Sequence, residues 1–248
     1  RVAAIKEPLS PNGLAYAFRR HRDQPWTLPL FIENRMINSF AAGLLSFLID
    51  GSRTILVAGT RSAGKTSLLG SLLLEIMPKY RVIVVEDTLE LPVDALRKIG
   101  YDILRLKVRS ALVEGSSEVE ASEGIRTSLR LGDSALIVGE VRSSEARALY
   151  EAMRVGALAN VVAGTIHGDS PYGVFDRVVN DLNVQPTSFK ATDIIVVTNP
   201  VKSPDGMKSS KRVISITEVR QHWTRDPVDE AGFVDLMRYN VEKDELEP

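Results

Sequence analysis

Thr54-Ile55-Leu56-Val57-Ala58-Gly59-Thr60-Arg61-Ser62-Ala63-Gly64-Lys65-Thr66 decides the fold. The first five residues are an apolar run of the kind that forms a parallel strand buried on both faces. The next eight fit G-x-x-x-x-G-K-[ST], the phosphate-binding P-loop. Glycine at positions 59 and 64 lets the backbone turn tightly and approach an anion. Such a loop points several N–H groups at phosphate oxygens. Beyond it, Ser67, Leu68, Leu69, Leu72, Leu73 and Ile76 recur at helical spacing, and Pro78 closes the segment. That helix adds unpaired N–H donors and the positive end of its dipole. Lys65 can reach the β/γ-phosphates, and the Thr66 hydroxyl can ligate Mg²⁺. Gly59, Thr60, Arg61, Ser62, Ala63, Gly64, Lys65, Thr66 and Ser67 are thus the candidate nucleotide-binding residues, with ATP and Mg²⁺ as cofactors.

Strands and helices alternate on both sides of this unit. Upstream, the spacing predicts two short strands, before Ser10 and over 14–18, and then the basic run Arg19-Arg20-His21-Arg22. That run is a solvated turn or a phosphate-facing clamp. A helix is expected over 34–50, its apolar face made by Ile37, Phe40, Ala41, Leu44, Leu45 and Leu48, with Gly51 as the stop. Downstream, the buried run 81–85 ends at Glu86-Asp87, and a short helix over 93–98 stops at Gly100. Leu104, Leu106 and Val108 alternate with Arg105 and Lys107, a strand with one wet face. A polar loop leads to a helix over 121–131 that carries Arg126 and Arg130 on one face. Ala135 to Val138 is a buried strand ending at Gly139-Glu140, and Ser144 caps a helix over 145–154. Val161 to Ile166 ends at His167, Ser170-Pro171 opens a helix, and Ile194 to Thr198 is a strand closed by Pro200. Two more strands, over 212–219 and 233–241, follow a basic tip (Lys208, Lys211, Arg212) read as a solvated turn, and an acidic end carries Asp244, Glu245 and Glu247. The alternation predicts an α/β fold with a mainly parallel central sheet flanked by helices, plus a carboxy-terminal β extension. Ligands then sit at the carboxyl ends of the strands.

Composition narrows the function. The 248 residues contain no cysteine, which excludes disulfides and Cys-ligated zinc. No apolar run approaches the roughly 18 residues a membrane-spanning helix needs. A net charge of −1 argues against a generally basic nucleic-acid surface. ATP use favours the cytosol, and a chain opening on Arg1 reads as a fragment of a longer protein.

Hydrolysis requires more than a P-loop. Glu86 and Glu140 stand at the ends of buried strands, where a carboxylate serves the metal or the attacking water. We assign Thr66 directly to Mg²⁺, Glu140 to it through water, and Glu86 to activation of the water; the two glutamate roles can be exchanged. His167 is either structural or a γ-phosphate sensor. Arg126, Arg130 and Arg142 are the candidates for stabilising transition-state charge, a role worth about 10³–10⁵ in rate.

Together these residues resemble the secretion-superfamily traffic ATPases of type II secretion, type IV pili, type IV secretion and the archaellum. Gly59 to Thr66 is similar to the family's Walker A loop, and Val85-Glu86-Asp87-Thr88-Leu89-Glu90 to its Asp box. Val138-Gly139-Glu140-Val141-Arg142 resembles the atypical Walker B, and Gly164-Thr165-Ile166-His167-Gly168 the His box. Arg126 and Arg130 match the arginine-bearing helix before Walker B, and Arg19 and Arg20 a basic pair near the amino terminus. The resemblance implies a RecA-like domain over 23–248, preceded over 1–22 by the end of an amino-terminal domain and a linker. It also implies a homo-hexameric ring with arginines reaching between domains or subunits. The implied partners are the chain's own amino-terminal domain and a membrane platform protein, without nucleic acid, at the cytoplasmic face of the membrane. Thr88 and the absence of cysteine look closest to archaeal members. The rival expectations are a RecA-type DNA-dependent or conjugation ATPase, and a nucleotide-binding assembly subunit without turnover.

Overall fold

The computed structural model describes residues 2–18, 24–108, 119–132, 134–155, 161–203 and 206–248. The basic run at 19–22 and the polar loop over 109–118 lie outside the described residues. A hairpin, β1 (Val2–Ile5) and β2 (Ala15–Phe18), pairs antiparallel as a sheet of its own. Two helices follow, α1 (Leu28–Glu33) and α2 (Ser39–Asp50). The core units are then β3 (Ile55–Gly59), α3 (Lys65–Leu72), β4 (Arg81–Glu86), α4 (Val93–Lys98) and β5 (Ile103–Lys107). Next come α5 (Ala121–Ser128), β6 (Ser134–Val141), α6 (Glu145–Val155), β7 (Val162–His167), α7 (Pro171–Asp176) and α8 (Pro186–Phe189). The chain finishes with β8 (Ile194–Lys202), β9 (Ser209–Val219), β10 (Phe233–Asn240) and β11 (Glu245–Glu247).

Nine strands form one sheet in the order β11-β10-β9-β8-β3-β7-β6-β4-β5. From β8 to β5 every pairing is parallel; from β8 to β11 every pairing is antiparallel. The parallel half is apolar on both faces, as sheets covered by helices are. Ile55 and Val57 face a core shared with α1 to α4, whereas Leu56 and Ala58 face a second core shared with α5 to α8. The result is a three-layer α/β/α fold, with β9 to β11 as the carboxy-terminal β extension.

Sheet order also places the site. The chain leaves β3 toward β4 on one side and returns to β8 on the other, and ligands bind at such a switch point. Register sets Gly59 opposite His167 on β7 and Thr198 on β8. Gly59 is required by close approach, since a Cβ there would lie 2.1 Å from the Thr198 carbonyl oxygen. Gly59→Ala should therefore cost about 1–3 kcal/mol of stability as overpacking, read as a melting temperature lower by several degrees.

Several local expectations are corrected. The helix expected over 34–50 begins at Ser39, because the Asn38 side chain accepts from Ala41 N at 2.8 Å and caps it. A separate helix, α1, precedes it, capped by Thr27 and ended before Arg35, whose φ is +55°. The buried face of α2 is Ala41, Ala42, Leu45 and Ile49, while Phe40 is 63% exposed. The helix expected over 121–131 ends at Ser128, leaving Arg130 in the turn beyond it. Ser144 precedes α6, but the side-chain bonds there come from Glu145, which accepts from the N–H groups of Arg142 and Ser143. Pro200 does not end β8. Beyond Thr198 the strand pairs only with β9, so a missing N–H on the open side costs no ladder bond. The basic tip is not simply solvated: Arg212 is buried and grips Asp244 through Nε and Nη2 at 2.7 and 2.9 Å.

Candidate functional site

A cleft of about 640 Å³ opens at the carboxyl ends of β3, β4, β6 and β7. Arg61 to Ser67 line it, and so do Glu86, Glu140, Arg142 and His167. The loop turns into α3 through Gly64, whose φ of +98° is left-handed and suits glycine. Thr60 N and Oγ1 both donate to Asn199 Oδ1, at 3.2 and 3.1 Å, and tether the loop's first turn to β8.

Lys65 is only 8% exposed. Its Nζ donates to the carbonyls of Gly59 and Thr60 at 3.0 Å each. Burial pushes its pKa down, with Glu140 acting against that shift. Nζ also lies 3.4 Å from His167 Nδ1, while His167 Nε2 is 2.9 Å from Glu140 Oε1. These partners select the neutral tautomer with its proton on Nε2. Burial and the neighbouring Lys65 charge hold the imidazole below its usual pKa, outweighing Glu140.

Glu140 owes its position to a break in register between Val138 and Val141, where β6 bulges and re-aims its side chains. Thr165 Oγ1 pins the bulge by donating to the Gly139 carbonyl at 2.6 Å. Arg142 Nη2 donates to Glu140 Oε2, and its Nη1 to Asp87 Oδ2 at 3.1 Å. Burial alone would raise Glu140, but the Arg142 hydrogen bond and the charges of Arg142, His167 and Lys65 hold it below the usual carboxylate range. Arg142 is raised in turn, chiefly by its bond to Glu140.

Glu86 has a different setting. It is 2% exposed, with Oε1 accepting from Glu90 N and Leu91 N at 2.9 and 2.8 Å. Burial raises its pKa, only partly offset by those N–H groups and by Arg105. Gly139 leaves room for it, because a Cβ there would stand 3.0 Å from Glu86 Cγ.

Arg126 and Arg130 are not brought to the cleft. Gly124, Ile125 and Ser128 are the buried residues of α5, so Arg126 points outward, 61% exposed and 3.6 Å from Glu151. Arg130 is exposed. Three lining or tethering residues were absent from the expected site: Asp87, Asn199 and Lys211. Asp87 and Asn199 each stand at a strand's carboxyl end, a signal readable in the sequence; Lys211 arrives by long-range pairing and carries none. Ala3, Ala17 and Phe18 of the β1–β2 hairpin complete the cleft wall.

Residues 8–221 match the family model described as "Type II/IV secretion system protein". The chain belongs to this family. A putative conjugal transfer protein of Mycobacterium tuberculosis is 31% identical over 171 residues, covering 69% of this chain and 47% of the relative. This chain therefore spans about half that relative's length. An uncharacterized protein of Methanocaldococcus jannaschii is 30% identical over 207 residues, covering 82% and 71%. Among solved structures, the VirB11 ATPase of the Brucella suis type IV secretion system aligns with a TM-score of 0.57 at 19% identity, covering 88% of this chain and 70% of that one. The pilus retraction motor PilT with bound ADP aligns at 0.58 and 16%, covering 87% and 62%. The fold is thus the RecA-like fold of the secretion ATPases, and an archaeal protein is among the relatives. No helix among the described residues is long and apolar enough to cross a membrane.

Proposed function

We propose that this chain is the Mg²⁺-dependent ATPase domain of a ring-forming motor that powers secretion, or pilus or archaellum assembly, at a membrane platform. The observation that carries this is the run Asp87–Arg142–Glu140–His167–Lys65 along the P-loop cleft. It sets carboxylates, an imidazole and two cations beside a loop built for phosphate.

Lys65 leaves its two carbonyls for the β/γ-phosphates, and the N–H groups at the start of α3 hold the remaining charge. Thr66 and, through water, Glu140 are the residues that would hold Mg²⁺. Glu140 Oε1 is suited to this because it is buried and has no aligned hydrogen bond among the described residues, so it can accept from a coordinated water. The metal supplies charge neutralisation at the phosphate oxygens. His167 offers its Nε2 proton to the γ-phosphate as a sensor. Glu86 takes the proton of the attacking water once its carboxylate turns from the Glu90–Leu91 N–H groups toward the cleft. Catalytic contacts of this kind often tighten only in the substrate complex. Arg142 acts from within the chain. Arg126 and Arg130, on the outer surface of their helix region, reach a nucleotide only across a subunit boundary, which makes them trans residues of a homo-hexamer. The proposed partners are the chain's own amino-terminal domain and a platform protein at the cytoplasmic face of the membrane.

The name of the mycobacterial relative favours a second reading, a motor serving conjugation. That motor would show turnover stimulated by DNA and steeply lost with salt.

The test is Mg²⁺-dependent ATP turnover per chain against protein concentration. A rate that climbs with concentration is expected, because neighbouring chains complete the site. ATP binding without turnover at any concentration would replace a motor with a non-hydrolysing assembly subunit.

A further inference from the structure

Arg105 lines no part of the phosphate cleft, yet its guanidinium encloses the Glu86 carboxylate. On β5 it pairs in register with Val84, and its side chain is only 17% exposed. The alternation of the sequence places it on a wet face. Instead, Ile103 is buried, Leu104 is turned partly outward, and Arg105 is turned inward. Its Nε faces Glu86 Oε2 at 3.4 Å, Nη2 donates to the Leu91 carbonyl at 2.6 Å, and Nη1 donates to Asp94 Oδ2 at 3.2 Å. The turn from β4 to α4 is thereby held twice, by Glu86 Oε1 from inside and by Arg105 from the sheet edge.

The ionisable groups around Glu86 come from each element packed on it. Glu90 lies in the turn, Arg105 and Lys107 lie on β5, and Asp94 of α4 is reached through Arg105. From β6 the neighbour is Gly139, which carries no charge. Glu86 Oε2 is buried without an aligned hydrogen bond among the described residues, so its nearest compensation is the Arg105 charge.

We propose that Arg105 is a positioning residue for Glu86, holding a buried carboxylate ionised and in one orientation beside the phosphate cleft. Arg105 has this role in turnover only if Glu86 is the base proposed above. A buried carboxylate stripped of its guanidinium takes up a proton, and a protonated Glu86 accepts nothing from water. Burial already pushes this carboxyl up, and the Arg105 charge opposes the push. Removing Arg105 therefore moves the acid limb of turnover to higher pH.

Two readouts test this on the same proteins. The first is a ¹³C carboxyl titration, with the Glu86 signal assigned by its loss in Glu86→Gln. Arg105→Gln should raise the Glu86 midpoint by about one unit or more, and Arg105→Lys by less, because lysine keeps the charge. The second is the pH profile of ATP turnover. Arg105→Gln should lose roughly tenfold in kcat at pH 7, since one unit is tenfold in ionised fraction once the group is mostly protonated. It should recover as pH rises, with KM held within about a factor of two and Arg105→Lys close to the parent. An unmoved Glu86 midpoint overturns the proposal whether or not the parent hydrolyses ATP. A moved midpoint with an unmoved kcat profile upholds the Arg105–Glu86 coupling and overturns Glu86 as the base.

Discussion

Lys65→Ala should lower ATP affinity by roughly a hundredfold or more while leaving the fold intact. A hydrogen bond to a charged partner contributes about 1.5–3 kcal/mol, and Lys65 is expected to make two of them to phosphate. At about 1.4 kcal/mol per decade the combined loss is at least two decades. The fold should survive because Lys65 is a cation held in a buried place at some cost, as its lowered pKa indicates. Removing it relieves that cost, and the carbonyls of Gly59 and Thr60 that lose a donor sit beside an open cleft where water can replace it. Titration with a fluorescent ATP analogue beside a thermal melt checks both halves. Full affinity in a folded Lys65→Ala protein would remove the P-loop from the proposed mechanism.

Glu86→Gln should bind ATP as the parent does and lose about 10²–10⁴-fold in kcat, the range for a positioned general base. The amide keeps an oxygen for Glu90 N and Leu91 N, so the turn over 87–91 retains its anchor. What disappears is the capacity to take a proton. Glu140→Gln is the informative partner, because Glu140 sits among Arg142, His167 and Lys65. Its loss should raise the Mg²⁺ concentration needed for turnover. If Glu86→Gln turns over normally and Glu140→Gln does not, the two roles are exchanged.

What could be read in the sequence was local. The P-loop, its strand and its helix announce themselves because one short segment needs the glycines, the lysine and the apolar flanks together. Glu86, Glu140 and His167 were legible for a related reason: each ends a buried run, and the ends of parallel strands share one edge. Facing was not legible. The period of α5 sets Arg126 and Arg130 close together, but Gly124, Ile125 and Ser128 decide that they face away from the cleft. The alternation in β5 runs opposite to its burial because Arg105 has Glu86, Leu91 and Asp94 to bind inside. Arg212 could not be told from a solvated tip without the return of β10 and the turn that delivers Asp244. In each case the deciding partner lies on another element, which no local period encodes.

One wall of the phosphate cleft belongs to the sheet and another to the β1–β2 hairpin, through Ala3, Ala17 and Phe18. That hairpin forms a separate sheet whose residues are exposed, and a lone two-stranded sheet is marginal in water. A molecule gripping both walls would make its affinity and the hairpin's orientation two sides of one equilibrium. Linkage then runs both ways. Whatever torque nucleotide exerts on the hairpin, an opposing load applied there loosens nucleotide by the corresponding factor, so the cleft would report strain as readily as it generates motion.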